Sequence, residues 1–177
     1  YQQLDMIADL LHSSRLEGGK IIVKLQLFDT HQLVEESIAK TQLLADKKHI
    51  QLVDNVPKNM YIHADKYLIQ EVVQNLITNA IKFSYPESNI EITVYTDDEV
   101  VVAVKDFGVG VEESKLDNLF EPVEGKSTMG TMGEEGTGLG LMYCFDIIKA
   151  HHGTMSVVSV VGEGSTFYIH LPLKPRH

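Results

Sequence analysis

Glu71-Val-Val-Gln-Asn-Leu-Ile-Thr-Asn-Ala-Ile-Lys-Phe-Ser84 is the stretch whose reading decides the fold. Ile69, Val72, Leu76, Ala80 and Phe83 recur at helical spacing as an apolar stripe, and Glu71, Asn75, Asn79 and Lys82 line a polar stripe beside it. Asparagine is a mediocre helix former because its amide competes for backbone hydrogen bonds. Two of them one turn apart in an otherwise strong helix therefore need a reason. Carboxamide oxygens ligate hard cations such as Mg²⁺, which keep several waters and share substrate phosphates, and a lysine one turn on can meet those phosphates. A solvated helix face would give the same spacing, so the flanking segments have to decide.

Upstream, residues 1 to 17 place Leu4, Ile7, Leu11 and Ser14 on one helical face, and Gly18-Gly19 is a strong helix stop. From Lys20 the period becomes two, with Val23, Leu25 and Leu27 alternating against Lys24 and Gln26 as in a half-buried strand. Asp29 can cap a helix, with Gln32 at the capping-box position and Leu33, Val34, Ile38 and Ala45 as its buried face. Ile50 to Val56 and Met60 to Ile62 read as strands, and Asp65 caps the helix carrying the two asparagines.

Downstream, Ile90, Ile92 and Val94 alternate, Thr96-Asp97-Asp98 turns, and Val100 to Val104 returns as a hairpin partner. A short helix is expected around Glu112 to Leu119, a loop over residues 123 to 137, and a helix from near Gly138 to Gly153. Met155 to Val161 and Ser165 to Leu171 flank a glycine turn. Helices and strands mix without a strict βαβ repeat. The expected fold class is α+β, a two-layer sandwich of one mixed, mostly antiparallel sheet with helices packed on one face.

Two glycine runs carry further chemistry. Gly108 and Gly110 let the backbone approach a flat ligand, and Asp106 just before them can accept from an exocyclic amine such as that of adenine. Gly136-Thr137-Gly138-Leu139-Gly140-Leu141 leads into a helix whose free N–H groups and positive dipole end suit a polyphosphate. It has neither the Gly-Lys-Ser/Thr of a Walker loop nor the spacing of a dinucleotide fold.

Taken in order, Asn75-x-x-x-Asn79-Ala80-x-Lys82-Phe83, Asp106-x-Gly108-x-Gly110, Leu119-Phe120-Glu121-Pro122 and Gly136-x-Gly138-x-Gly140-Leu141 resemble the ATP-binding catalytic domain of sensor histidine kinases. That family belongs to the wider group of gyrase, heat-shock chaperones and mismatch-repair ATPases. The resemblance covers about Ile21 to Leu173, and Ser14 to Lys20 is similar to the family's junction with the dimerisation hairpin. It divides the chain into a hairpin-helix stub at 1–20 and a catalytic domain at 21–177.

The resemblance implies ATP and Mg²⁺ as ligands. Asn79, with Asn75 nearby, would hold Mg²⁺, and Lys82 would touch phosphate; Asn75 and Lys82 are the residues it assigns to catalysis. Asp106 would read the adenine amine, Gly108, Gly110 and Val111 would shape the adenine floor beside Phe83, and Thr166 would reach the base. Gly136, Thr137, Gly138, Leu139, Gly140 and Leu141 would cover the phosphates. Phe120 would anchor a lid from Val123 to Thr137, with Lys126, Ser127 and Thr128 as phosphate contacts. His12 lacks the acidic and proline neighbours of the family's phosphoacceptor, so that histidine is expected upstream of Tyr1 or on another chain. The implied partners are the dimerisation and phosphoacceptor hairpin of the same protein, a response regulator and, for the parent protein, a second copy. An ATP-driven clamp or a serine-directed anti-sigma relative is the alternative. Clamp relatives place a glutamate where Asn75 stands, and a carboxamide cannot act as that base.

Composition bounds these expectations. The 177 residues carry a formal charge of -10 and no Lys/Arg cluster, which argues against a nucleic-acid surface. A single cysteine, Cys144, excludes an internal disulfide and fits a reducing, cytoplasmic setting. His151 and His152 point apart as helix neighbours and have no third ligand in spacing, so they read as helix-end polarity.

Overall fold

The computed structural model describes residues 16–17, 20–121, 129–134 and 138–174. β1 (Leu16–Glu17) pairs antiparallel with β2 (Lys20–Ile21), and β3 (Gln26–Asp29) pairs antiparallel with β5 (Tyr61–Ala64). Five strands form the main sheet: β4 (Gln51–Asp54), β6 (Asn89–Thr96), β7 (Glu99–Asp106), β8 (Thr154–Val160) and β9 (Gly164–Pro172). Their order is β4-β6-β7-β9-β8, and only the β4–β6 pair is parallel. The helices are α1 (Thr30–Lys47), α2 (Lys66–Phe83), the single turn α3 (Glu113–Leu116) and α4 (Gly140–Ala150).

Alternation along the strands fixes the layers. Ile90, Ile92 and Val94 of β6, Val100, Val102 and Val104 of β7, and Phe167, Ile169 and Leu171 of β9 are buried in one cluster with the helices. Register brings Ile92 opposite Val104 and Val104 opposite Phe167. The same parity carries Asp106, at the end of β7, onto the helix-covered face.

Helix α2 is the axis of this layer. Asp65 caps it by accepting from Tyr67 N at 3.1 Å and Leu68 N at 3.2 Å. Its buried face is wider than the expected stripe, because α2 packs against α1, α4 and β7 at once. Leu68, Val73, Ile77 and Ile81 are buried along with Ile69, Val72, Leu76 and Ala80. Each fully buried aliphatic side chain contributes about 1.5–3 kcal/mol. Helix α1 starts from Asp29, which accepts from His31 N. It buries Ser37 and Thr41, whose hydroxyls donate to Leu33 O and Ser37 O. That satisfied bonding lets polar side chains occupy the core.

Three expectations need correction. Of the helix expected over residues 1 to 17, residues 1–15 lie outside the described residues, and Leu16–Glu17 are extended and paired with Lys20–Ile21 rather than helical. The strand expected to bury Leu25 and Leu27 has the opposite parity: Phe28 is inward, while Leu27 is 68% exposed. The helix expected from near Gly138 to Gly153 is shorter, and α3 spans four residues of the expected Glu112 to Leu119.

Candidate active site

Asn75 and Asn79 are half-buried on one face of α2, and Asn79 Nδ2 donates to Asn75 Oδ1 at 3.3 Å. This bond uses one of the two acceptor positions of the Asn75 oxygen and leaves the Asn79 oxygen outside the pair's own bond. Helix α4 begins directly against them. A Cβ on Gly140 would lie 2.7 Å from Asn75 Nδ2 and 2.8 Å from Asn75 Oδ1, so only glycine permits this approach. Among the described residues no side-chain hydrogen bond caps α4, and helix geometry leaves its first-turn N–H groups without intrahelical acceptors. Gly138, at φ 75°, occupies the left-handed region just before it. Leu139 is 36% exposed, and Leu141 packs on the core.

The far end of α2 meets the glycine loop after β7. Val109 N donates to Phe83 O at 3.1 Å, and a Cβ on Gly108 would fall on the same carbonyl. Gly110, at φ 70°, lies against the Val160 carbonyl, and Val111 N donates to Ser159 Oγ at 2.8 Å. Asp106 is buried, and its Oδ1 accepts from Gly108 N at 3.0 Å and Ser165 N at 3.2 Å. Its Oδ2 has no partner among the described residues, which leaves one carboxylate oxygen for an amine donor. Burial pushes the Asp106 pKa upward, against the pull of those two N–H groups.

Lys82 is buried, with Nζ 5.0 Å from the Phe83 ring centroid and its Cγ beneath Gly130. Phe120 stacks on Phe145 of α4 with centroids 5.6 Å apart, which ties the segment after α3 to the glycine-led helix. Glu71, one turn before Asn75, accepts from Tyr143 OH at 2.8 Å.

Asn75, Asn79, Gly138 and Gly140 thus converge at one end, and Lys82, Phe83, Asp106, Gly108, Gly110 and Val111 at the other. Lys126, Ser127, Thr128, Gly136 and Thr137 lie outside the described residues. Thr166 is misplaced by the sequence reading. It pairs with Lys105 and Val158 on the sheet face away from the helices, whereas Ser165 shares the face of Asp106 and binds it. The physical reason is the period of two, by which a one-residue shift reverses the face. Extending the inward parity of Phe167 and Ile169 back by one step would have found Ser165. His151 is also more than helix-end polarity. It is buried, contacts Ile147 O through Nδ1 at 2.8 Å and accepts from Asp65 N through Nε2 at 3.1 Å. No sequence signal marked Lys48, Thr131, Glu134 or Tyr143, whose roles depend on which elements come to rest beside them.

Among the described residues no cluster of three or more His, Cys, Asp or Glu could hold a metal ion. Among these residues no helix is long and apolar enough to cross a membrane.

The family described as histidine kinase-, DNA gyrase B-, and HSP90-like ATPase matches residues 64–175. Over 173 residues, 96% of its length, the chain is 30% identical to the circadian input-output histidine kinase CikA of Synechococcus elongatus. Over 172 residues, 95% of its length, it is 34% identical to the adaptive-response sensory kinase SasA of Crocosphaera subtropica. The chain spans 23% and 44% of those two proteins. It superposes on full-length ShkA in complex with AMPPNP with a TM-score of 0.79 at 25% identity, covering 99% of this chain and 36% of that one. With more than half of its residues matched and the fold shared, the chain belongs to the family of histidine kinase-, DNA gyrase B-, and HSP90-like ATPases.

Proposed function

We propose that this chain is the ATP-binding catalytic domain of a sensor histidine kinase, moving the γ-phosphoryl of Mg-ATP to a histidine outside it. The observation that carries the reading is the seating of Gly140 against the Asn75 amide, which brings the N-terminus of α4 beside the Asn75–Asn79 pair. Backbone donors for phosphate and a carboxamide oxygen for its cation then face one space. Mg²⁺ would supply charge neutralisation of the phosphates. Asn79, with Asn75, would hold it, and Asp106 Oδ2 would accept from the adenine amine. Lys82 would balance the phosphate charge, and the first turn of α4 would orient the chain of phosphates. The protein's contribution is positioning and electrostatics, as expected for phosphoryl transfer.

A solved structure that this chain resembles was obtained in complex with AMPPNP, which supports a nucleotide as the ligand of this chain. The hydrolytic clamp is disfavoured because Asn75 is not a base and Glu71, the nearest carboxylate on the same face, is engaged by Tyr143. On this reading residues 1–20 are the end of a dimerisation hairpin and residues 21–177 the catalytic domain. The partners are that hairpin, a response regulator and a second copy of the parent protein, with no nucleic acid.

The test is transfer in trans. The chain incubated alone with γ-labelled ATP is expected to remain unlabelled. Adding the parent protein's hairpin should give weak, acid-labile and base-stable label on the hairpin, weak because tethering would supply roughly millimolar effective concentration that is absent in trans. Acid-resistant label, or ATP hydrolysis that ignores the hairpin, would overturn the kinase reading.

A further inference from the structure

The Lys82 end of α2 is held by Lys48, Thr131 and Glu134, to none of which the nucleotide reading assigns a contact of its own. Lys48 follows α1 and is 3% exposed. Its ammonium donates to Ile81 O at 2.8 Å, Lys82 O at 3.0 Å and Thr131 Oγ1 at 2.7 Å, and pairs with Glu134 Oε1 at 2.8 Å. The last carbonyls of a helix lack intrahelical donors, and a cation there also complements the helix dipole. Lys48 therefore caps α2 from a different helix.

Segment 129–134 completes the cap. Thr131 N donates to Lys82 O at 3.1 Å, and Thr131 Oγ1 donates to Ser84 O at 2.6 Å while accepting from Lys48. Glu134 organises the segment itself, with Oε2 accepting from Met132 N at 2.8 Å and its backbone carbonyl from Gly130 N at 2.9 Å. This closure lays Gly130 directly on the Lys82 side chain; a Cβ there would come within 2.7 Å of Lys82 Cγ. A buried ammonium without its carboxylate is strongly disfavoured, so Glu134 is what allows Lys48 to occupy this position.

We propose that Lys48 and Glu134 are positioning residues for Lys82: their ion pair fastens segment 129–134 over the end of α2 and fixes where that lysine is presented to a triphosphate. The inference rests on the assignment of Lys82 to phosphate made above. It separates the phosphate contact from the base contact, because Asp106, assigned to the base, is held by the Gly108 and Ser165 N–H groups and, among the described residues, by no hydrogen bond from Lys48, Thr131 or Glu134.

The experiment is displacement of a fluorescent ATP analogue by AMPPNP and, separately, by adenosine, for the wild type, Glu134→Gln, Lys48→Met and Lys82→Ala. Glu134→Gln keeps shape and an acceptor while removing the charge, and is expected to weaken AMPPNP by about 10-fold, the scale of one charge-assisted hydrogen bond, with adenosine changed less than about twofold. In a Lys82→Ala background the same substitution should have little further effect, since both act through one lysine. Lys48→Met leaves helix-end carbonyls unpaired as well; if it does not fold, Glu134→Gln carries the test. Equal loss for AMPPNP and adenosine, or an undiminished loss in the Lys82→Ala background, would overturn the proposal. A wild type that binds neither ligand would overturn the nucleotide reading itself, which is distinct from a wild type that binds both and a Glu134→Gln variant that matches it.

Discussion

The Asp106 carboxylate is held at the core end of β7, and burial raises its pKa from the ordinary 3.8 although Gly108 and Ser165 donate to it. A raised carboxylate pKa means that ionisation costs folding stability at every pH above 3.8. Asp106→Asn removes that cost and retains an oxygen for both backbone donors. The variant is expected to melt at or above the wild-type temperature. On the proposed reading its amide NH₂ would stand where Oδ2 would meet the adenine amine, and it should weaken AMPPNP by at least ~10-fold, the effect of leaving one buried polar contact unpaired. Scanning calorimetry and titration calorimetry on the same preparations check both halves; unchanged affinity would remove Asp106 from the base site.

The junction between α2 and α4 separates positioning from packing in a way that two glycines can test. At Gly140 the atoms a Cβ would meet belong to the Asn75 side chain, which can swing away. At Gly108 they belong to the backbone of Phe83 and Ser84, which cannot move without shifting the end of α2. Alanine also favours a helix over glycine by about 1 kcal/mol. Gly140→Ala is therefore expected to leave the melting temperature within about 4 °C of the wild type. By displacing Asn75 from Asn79 it should weaken Mg-AMPPNP by about 10-fold, the scale of one lost charged contact. Gly108→Ala is expected to lower the melting temperature markedly. Reversal of that order, with Gly140→Ala the less stable variant, would show that the helix junction and not the Asn75 amide carries the constraint.

Across the whole molecule, His151 joins the C-terminal end of α4 to the N-terminal end of α2. Its Nδ1–H donates to Ile147 O, so Nε2 must stay unprotonated to accept from Asp65 N. Burial lowers its pKa below the ordinary 6.5; the Ile147 carbonyl and the Asp65 carboxylate oppose that shift, and His152 adds to it. The unfolded chain then binds the proton more readily than the folded one. Stability from this contact is complete above the unfolded value, falls as pH drops through 6.5, and levels off below the folded value. Urea unfolding at about pH 8 and pH 5.5 should show a loss in the wild type that is smaller in His151→Gln, as linkage requires. Equal losses would exclude His151 as the source.

The sequence alone determined what is encoded at short range: the helical stripe with Asn75 and Asn79 one turn apart, the hairpin of β6 and β7, and the parity that turns Asp106 inward. Each follows from a period of 3.6 or 2 over a few residues. Tertiary structure decided what depends on neighbours remote in the chain. Leu27 and Phe28 are both apolar, and only the pairing of β3 with β5 and the packing of α1 made Phe28 the buried one. Thr166 and Ser165 are neighbours of similar chemistry, and the register of β9 against β7 set the backbone N–H of Ser165 on Asp106. Lys48 carries no local mark of its position, because the carbonyls it caps lie 33 and 34 residues away and its carboxylate partner lies on segment 129–134. Local periodicity sets which face a side chain takes; what waits on that face is set by the closure of distant elements, whose contacts no short window of sequence contains.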